Sequence, residues 1–316
     1  MESIITQDKA MLDVIALAKT VASSKATVLL QGESGTGKEL IASLIHQEST
    51  RSAKPFLAIN CAAIPDNLLE SELFGYEKGS FTGALQQGKQ GKFELAHGGT
   101  LLLDEIAEMD MKLQAKLLRA LQEGDIDRIG SKKSISVDVR IIASTNQMLS
   151  EAVARGVFRE DLFYRLNVVT MTLPRLKNRL GDIDILTNFF MNKHAEKHAR
   201  PILELSADAR SKLNAHVWPG NVRELENMVE RVILTHTDAS APVAASEIEF
   251  SSIGKIRQGD RNWSPGKTLD DIERNVIIEA LGYHQGNRTH TAKALGISIR
   301  TLRNKISDYK TIGIKL

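Results

Sequence analysis

The chain reads as an α/β protein built on a mostly parallel sheet and followed by two all-helical regions. Three observations predict this. Up to about Pro174, short apolar runs alternate with amphipathic segments. From Leu176 to His236 the β character is gone, and after a stretch without periodicity helical spacing returns at Thr268. Strands that alternate with helices are joined by crossovers, and crossovers cover both faces of a parallel sheet with helices.

The elements follow in order. Val28-Leu29-Leu30, Phe56-Leu57-Ala58-Ile59, Leu101-Leu102-Leu103, Val139-Arg140-Ile141-Ile142 and Val168-Val169 are apolar runs bounded by Gly, Pro or polar residues, as buried strands are. Among the segments between them, Leu113, Leu117, Leu118 and Leu121 recur at helical spacing before Gly124. Ile183–His198, Ala207–Ala215 and Val222–His236 read as three helices, with Ser206 capping the second. Ala, Ser, Gly and Pro then gather where periodicity fails, which is linker composition. Thr268-Leu269-Asp270-Asp271 resembles a capping box with Asp in place of Glu, opening a helix to Leu281 and two shorter ones. The expected division is an α/β core over residues 1–175, a helical region over 176–237, a linker over 238–267 and a C-terminal helical domain over 268–316.

The 316 residues, 42% hydrophobic and 25% charged, suffice for about two or three domains with sizeable cores. No apolar run approaches the ~20 residues of a membrane span. Met1-Glu2-Ser3-Ile4-Ile5 lacks the basic start of a secretory signal. A single cysteine, Cys61, excludes an internal disulfide framework and fits a reducing cytoplasm; it reads as a small, partly buried residue beside a strand. The net charge of +2 says little, but its distribution says more. Arg288, Lys293, Arg300, Arg303, Lys305, Lys310 and Lys315 face a single acid, Asp308, at the C-terminal end. A basic segment on a near-neutral body suggests a nucleic-acid module once a motif joins it.

Gly32-Glu33-Ser34-Gly35-Thr36-Gly37-Lys38-Glu39 follows the first apolar strand and precedes the helical stretch Leu40–His46. Such glycines let backbone N–H groups wrap phosphate oxygens, Lys38 adds a charge, and the helix N-terminus adds its dipole. The Ser or Thr that many such loops place after the lysine to hold Mg²⁺ is Glu39 here, so metal binding must lean on another carboxylate. Leu101-Leu102-Leu103-Asp104-Glu105, an apolar strand ending in two acids, supplies it. In this Walker B arrangement Asp104 is expected to hold Mg²⁺ and Glu105 to polarise the water that attacks ATP.

At this point the sequence resembles a particular family, the AAA+ bacterial enhancer-binding proteins that activate sigma-54 RNA polymerase. The resemblance covers roughly residues 1–236 and 268–310, and the unusual Glu39 is itself typical of it. Its most specific element is Glu72-Leu-Phe-Gly-Tyr-Glu-Lys-Gly79-Ser80-Phe81-Thr82-Gly83-Ala84, which is similar to the loop that contacts the sigma factor, with Ser80 for the usual Ala. Gly79 and Gly83 give such a loop hinge freedom, and an exposed Phe81 needs a partner surface. The resemblance implies an AAA+ core with a helical lid, assembling as a hexameric ring. It implies that Asn60 is the switch residue holding Glu105, that Thr145-Asn146 is sensor I, and that Arg223, in Trp-Pro-Gly-Asn-Val-Arg-Glu-Leu, is sensor II on the lid. It also implies that Arg159 and Arg165 are arginine fingers supplied to a neighbour's γ-phosphate. An N-terminal receiver or sensory domain of the kind many members carry is missing, so regulation by a separate protein, or a shortened chain, is expected.

Gly286-Asn287-Arg288-Thr289-His290-Thr291-Ala292-Lys293-Ala294-Leu295-Gly296-Ile297-Ser298-Ile299-Arg300-Thr301-Leu302-Arg303 has helix-turn-helix spacing. Ala292 is small where helices cross, Gly296 allows the turn and Ser298 can cap the second helix. That helix offers Arg300, Thr301, Arg303, Asn304 and Lys305 to an upstream enhancer site in double-stranded DNA, with Arg288 nearby. The stretch resembles the Fis-type domain, which acts as a dimer, and its wording is similar to flagellar-gene activators. Two other readings share parts of the pattern. A DNA-binding AAA+ repressor should lack the Phe81-Thr82 loop, and a protein-remodelling chaperone should lack the Fis-like tail.

Overall fold

The computed structural model describes residues 4–80, 87–131, 133–238, 241–250, 268–283 and 287–311. It forms two compact units, Met1–Phe250 and Ser251–Leu316. The first unit opens with α1 (Lys9–Ala22), β1 (Val28–Gln31), α2 (Lys38–Gln47), β2 (Phe56–Asn60) and α3 (Asp66–Phe74). A short hairpin of β3 (Gly75–Tyr76) and β4 (Lys89–Gln90) leads to α4 (Lys92–Leu95), β5 (Thr100–Asp104) and α5 (Met111–Glu123). A second hairpin, β6 (Asp125–Asp127) and β7 (Ser134–Ser136), precedes β8 (Arg140–Thr145), α6 (Leu149–Ala154), α7 (Glu160–Leu166) and β9 (Val169–Thr172). The helical part is α8 (Leu180–Lys197), α9 (Ala207–Ala215) and α10 (Asn221–Thr235).

The main sheet has the order β2-β5-β8-β1-β9, and every pairing is parallel. Its central strands are buried on both faces, which is why they read as mostly apolar runs without strict alternation. The strand period of two then sorts each run between two cores. Leu29, Leu101, Leu103, Ile141 and Ala143 pack with Leu69, Leu73, Leu113, Leu117 and Leu162 on one face. Val28, Leu30, Leu102 and Ile142 pack with Met11, Ile41 and Ile45 on the other. Each fully buried Leu or Ile contributes about 1.5–3 kcal/mol, so replacing one by a polar residue would cost its core about that much. Parallel pairing also brings all five C-terminal strand ends to one edge, where open α/β sheets bind ligands.

The helical part has its own core around Trp218, Phe190, Leu213, Leu225 and Val229. The Trp218 indole N–H donates to the Leu213 carbonyl at 3.0 Å, which satisfies a polar group at 1% exposure. Part of the stretch expected as linker belongs to this core. Val243 and Ile248 are buried in it, Lys212 Nζ donates to the carbonyls of Ala245 and Ile248 at 2.8 Å each, and Phe250 stacks on His216 with centroids 3.7 Å apart. Two isolated apolar anchors have no period, so nothing in the local sequence distinguishes them from linker.

The second unit consists of α11 (Leu269–Tyr283), α12 (Arg288–Ala294) and α13 (Ile299–Thr311) around Ile277, Ala292, Leu302, Ile306 and Tyr309. Asn287 Oδ1 caps α12 by accepting from the backbone N–H of Thr289 and His290. Ser298 Oγ caps α13 by accepting from the Thr301 N–H at 3.0 Å.

Candidate functional site

The loop of residues 32–37 joins β1 to α2, whose first helical residue is Lys38. Its free N–H groups at the start of α2 form a ready anion site. Lys38 is 7% exposed, and its ammonium donates to the Gly32 carbonyl at 2.8 Å and the Glu33 carbonyl at 3.3 Å. Thr36 donates to the Glu33 carbonyl from inside the loop, while Glu39 in the first helical turn is exposed. A cavity of about 790 Å³ opens here, lined among others by Gly35, Gly37, Lys38, Asn60, Asp104, Glu105 and Arg223.

The acids arrive from the end of β5. Asp104 is register-paired with Asn60 at the end of β2, so the two side chains stand side by side. The Asn60 amide donates to Asp104 Oδ2 at 3.0 Å, and the Ser144 hydroxyl donates to Asp104 Oδ1. Glu105 leaves the strand in the left-handed region, at φ 53°, a conformation that stores strain in a non-glycine residue. That turn carries its carboxylate to 3.6 Å from Lys38 Nζ and into a 3.0 Å hydrogen bond from the Asn146 backbone N–H. The expected Asn60–Glu105 pair is therefore replaced by Asn60–Asp104, because lateral strand register, not chain proximity to Glu105, decides Asn60's neighbour. Thr145 is fully buried, and its hydroxyl accepts from the Gln147 N–H at 3.0 Å; neither Thr145 nor Asn146 lines the cavity. Cys61, next to Asn60, is 2% exposed, and burial followed by the charges of Asp104 and Glu105 pushes its thiol up to about 12.

The other wall comes from the helical part. Gly220 and Asn221 open α10 directly over the phosphate loop. The Val222 N–H donates to the Gly35 carbonyl at 2.9 Å, and the Asn221 amide donates to the Ser34 carbonyl at 3.0 Å and Glu33 at 3.2 Å. Arg223 Nη1 reaches Ser34 Oγ at 3.1 Å. Arg179, 3% exposed, donates to the Thr36 carbonyl, and Arg175 pairs with Glu33 at 3.0 Å. The approach is so close that a Cβ on Gly35 would lie 2.3 Å from the Gly220 carbonyl oxygen, and Gly35 also has φ +78°. Asn221, Arg179 and Arg175 were not picked out from the sequence. For Asn221 a signal existed: Asn after Pro219-Gly220 marks a turn, and Asn tolerates the left-handed φ of 51° it adopts.

In the second unit Arg288, Ser298, Arg300, Thr301, Arg303 and Asn304 are all exposed, while Leu302, Ile306 and Tyr309 of α13 turn inward. Lys305 differs from expectation, since its ammonium is tied to Glu273 on α11 at 2.6 Å. Helical period places it on the flank facing α11, beside the core residues Leu302 and Ile306.

Family models match three consecutive stretches: a sigma-54 interaction domain over residues 4–172, an AAA+ ATPase lid domain over 177–253, and a bacterial regulatory protein domain of the Fis family over 268–309. The chain belongs to the AAA+ sigma-54-dependent transcription activators. Similar proteins include the transcriptional regulatory protein FlbD of Caulobacter vibrioides, 47% identical over 99% of this chain and 71% of that protein. The regulatory protein AtoC of Escherichia coli is 48% identical over 97% of this chain and 67% of its own length. Among solved structures, NtrX from Brucella abortus in complex with ATP superposes with a TM-score of 0.74 at 35% identity, covering 99% of this chain and 70% of that one.

In this activator the arginines at 159 and 165 lie away from the chain's own cavity lining. Arg159 makes a two-pronged pair with Asp161, at 3.0 and 2.7 Å, which holds the Asp161 carboxyl below its ordinary range. Arg165 donates to the Leu121 carbonyl at 2.7 and 3.2 Å. Of the loop expected to contact the sigma factor, Gly79 has φ +72° and Ser80 packs beside Gly130; Phe81, Thr82, Gly83 and Ala84 lie outside the described residues. The β3–β4 hairpin forms the loop's base. It is held through Glu77, which shares Arg128 with Glu94, at 3.2 Å against 2.6 Å. Among the described residues no helix is long and apolar enough to cross a membrane.

Proposed function

We propose that the activator works as a hexameric ring in the cytoplasm, hydrolysing ATP and using the cycle to remodel sigma-54 RNA polymerase into an open promoter complex. Residues 1–175 form the motor, 176–250 the lid and 268–316 a dimeric domain that holds the upstream DNA site. Gly32 to Gly37 wrap the phosphates and Lys38 leaves its carbonyl partners for the nucleotide. Asp104 is a hard oxygen donor at the cavity wall, the donor type that suits Mg²⁺, and it would hold that ion with nucleotide oxygens and water. Bound there, the ion would neutralise charge developing on the phosphate oxygens. Glu105 orients and deprotonates the attacking water, with Asn146 and Thr145 steadying its strand end. Arg223 reads nucleotide state from the lid. Arg159 and Arg165 release Asp161 and Leu121 to reach a neighbouring protomer's site, since a guanidinium fork suits γ-phosphate charge.

The observation that carries the coupling is Asn60. Its amide holds Asp104, while its carbonyl oxygen accepts from the N–H groups of Ala62 and Ala63 at 2.9 and 3.1 Å. One side chain thus joins the nucleotide site to the first turn of the segment leading through α3 to residues 79–84. A change at Asp104 can shift that turn, and only a difference in loop affinity between nucleotide states can transmit work to the sigma factor. Arg300, Thr301, Arg303 and Asn304 read or position DNA, supported by Arg288. The test is Thr82→Ala in purified protein. ATP turnover and ring assembly should persist while promoter opening fails; normal promoter opening would remove the loop from the mechanism.

A further inference from the structure

On the lid, beside the nucleotide cavity whose lining includes Glu226, stands a cluster that none of this chemistry uses. His194 and His198 are one helical turn apart on α8 and face Glu226 and Glu230, one turn apart on α10. His194 is 3% exposed, yet neither ring nitrogen has a hydrogen-bond partner. Its Nδ1 stands 3.4 Å from Glu230 Oε1, and its Nε2 stands 3.4 Å from Glu226 Oε1. His198 Nε2 is 2.9 Å from the same Glu230 oxygen. Buried imidazole nitrogens are normally satisfied, so a ring aimed at two carboxylates without bonding either one needs an explanation.

We propose that His194, His198 and Glu230 form a binding site for one divalent ion of the zinc class, bridging helices α8 and α10. The three donor atoms all lie within 4.8 Å of one another, and this is the one such group among the described residues. In a tetrahedral site with bonds near 2.0–2.1 Å, donors are separated by roughly 3.3 Å, so the 3.4 and 2.9 Å spacings need only small adjustment. Two imidazoles with one carboxylate select zinc-like ions over Mg²⁺ or Ca²⁺, which prefer all-oxygen shells. With Nδ1 on the ion, the His194 Nε2–H points at Glu226, the carboxylate partner that ligating histidines habitually use to fix their tautomer. Water completes the fourth position. The competing cations are displaceable. Lys197 is 58% exposed and Lys193 34% exposed, and ion pairs of such flexible side chains add little.

An ion there would pin α8 against the helix whose N-terminal end presents Asn221, Val222 and Arg223 to the phosphate loop. The test uses the full chain, stripped with chelator and titrated with Zn²⁺ against a chromophoric competitor in excess Mg²⁺, added to compete at all-oxygen sites such as Asp104. One Zn²⁺ per chain should bind, raise the melting temperature, and be replaceable by Co²⁺ with the visible absorption of a four-coordinate centre. His198→Ala and Glu230→Gln alter side chains at the lid surface. Each should weaken Zn²⁺ binding by at least about tenfold, and Glu226→Gln by about tenfold through the orientation of His194. Absence of saturable Zn²⁺ binding would overturn the site. Binding that survives both His198→Ala and Glu230→Gln would overturn it equally, by placing the ion elsewhere.

Discussion

Asn221→Ala is the substitution that should reveal how firmly the lid holds the phosphate loop. Asn221 is fully buried, accepts from the Leu176 N–H at 2.8 Å and donates to the Ser34 carbonyl at 3.0 Å. Alanine removes both bonds and the third, from the Asn221 amide to Glu33 at 3.2 Å. The buried Leu176 N–H is left without an acceptor, at about 1–3 kcal/mol. Alanine must also hold the left-handed φ of 51°, which costs about 1 kcal/mol more than it costs Asn. The sum is about 2–4 kcal/mol, or roughly 5–15 °C in melting temperature for a unit of this size. Asn221→Gly relieves the backbone strain and isolates the hydrogen-bond part, so it should recover about 1 kcal/mol. Calorimetric melting and ATP affinity should be measured on the same preparations. ATP binding should weaken together with stability, because Val222 and Arg223 lose their seat on Gly35 and Ser34. If Asn221→Ala melts within about 1 °C of the parent and binds ATP equally well, the latch reasoning fails.

Lys38→Ala should weaken ATP binding itself, whereas Glu105→Gln should keep binding and lose turnover; equal losses of affinity, measured by nucleotide titration, would merge the two roles. A pH effect should come from His236, whose Nδ1 meets Glu247 at 2.7 Å. The Glu247 hydrogen bond raises the His236 pKa above its ordinary 6.5, and hydrogen bonds from the Ala244 N–H and His236 lower that of Glu247 below 4.5. The histidine's contribution is fully present below pH 6.5 and lost as pH rises through its raised value; the glutamate's is lost as pH falls through its depressed one. Melting of residues 1–250 should therefore decline above pH 6.5, and His236→Gln should flatten that decline. Arg300→Ala should cost about 1–3 kcal/mol in DNA binding and relax site discrimination if it meets a base edge. A uniform loss with a lower salt slope, in binding assays across salt concentrations, would make it a phosphate contact.

Much of the molecule was legible in the chain because its signals are local. Apolar runs marked the five sheet strands, most plainly the central ones, since a strand buried on both faces has few polar positions to interrupt it. The glycines and lysine of residues 32–38 marked the phosphate loop because backbone wrapping demands that composition. The α12–α13 turn was equally plain in Ala292, Gly296 and Ser298. The two-residue strands at 75–76 and 89–90 were not, since two residues display no period.

What only the tertiary structure decided are pairings across long sequence distances. Asn60 meets Asp104 through parallel register, and Glu105 turns away to Lys38 through a left-handed residue. Asn221 reaches Ser34, and His194 and His198 reach Glu226 and Glu230, through the docking of helices. Lys305 is drawn to Glu273, and Val243 and Ile248 fasten a stretch of linker composition to the lid. Local sequence encodes backbone preference and the apolar face of each element. It does not encode which polar side chains end up within 3 Å, because strand order, register and helix docking are set by the burial of the whole core.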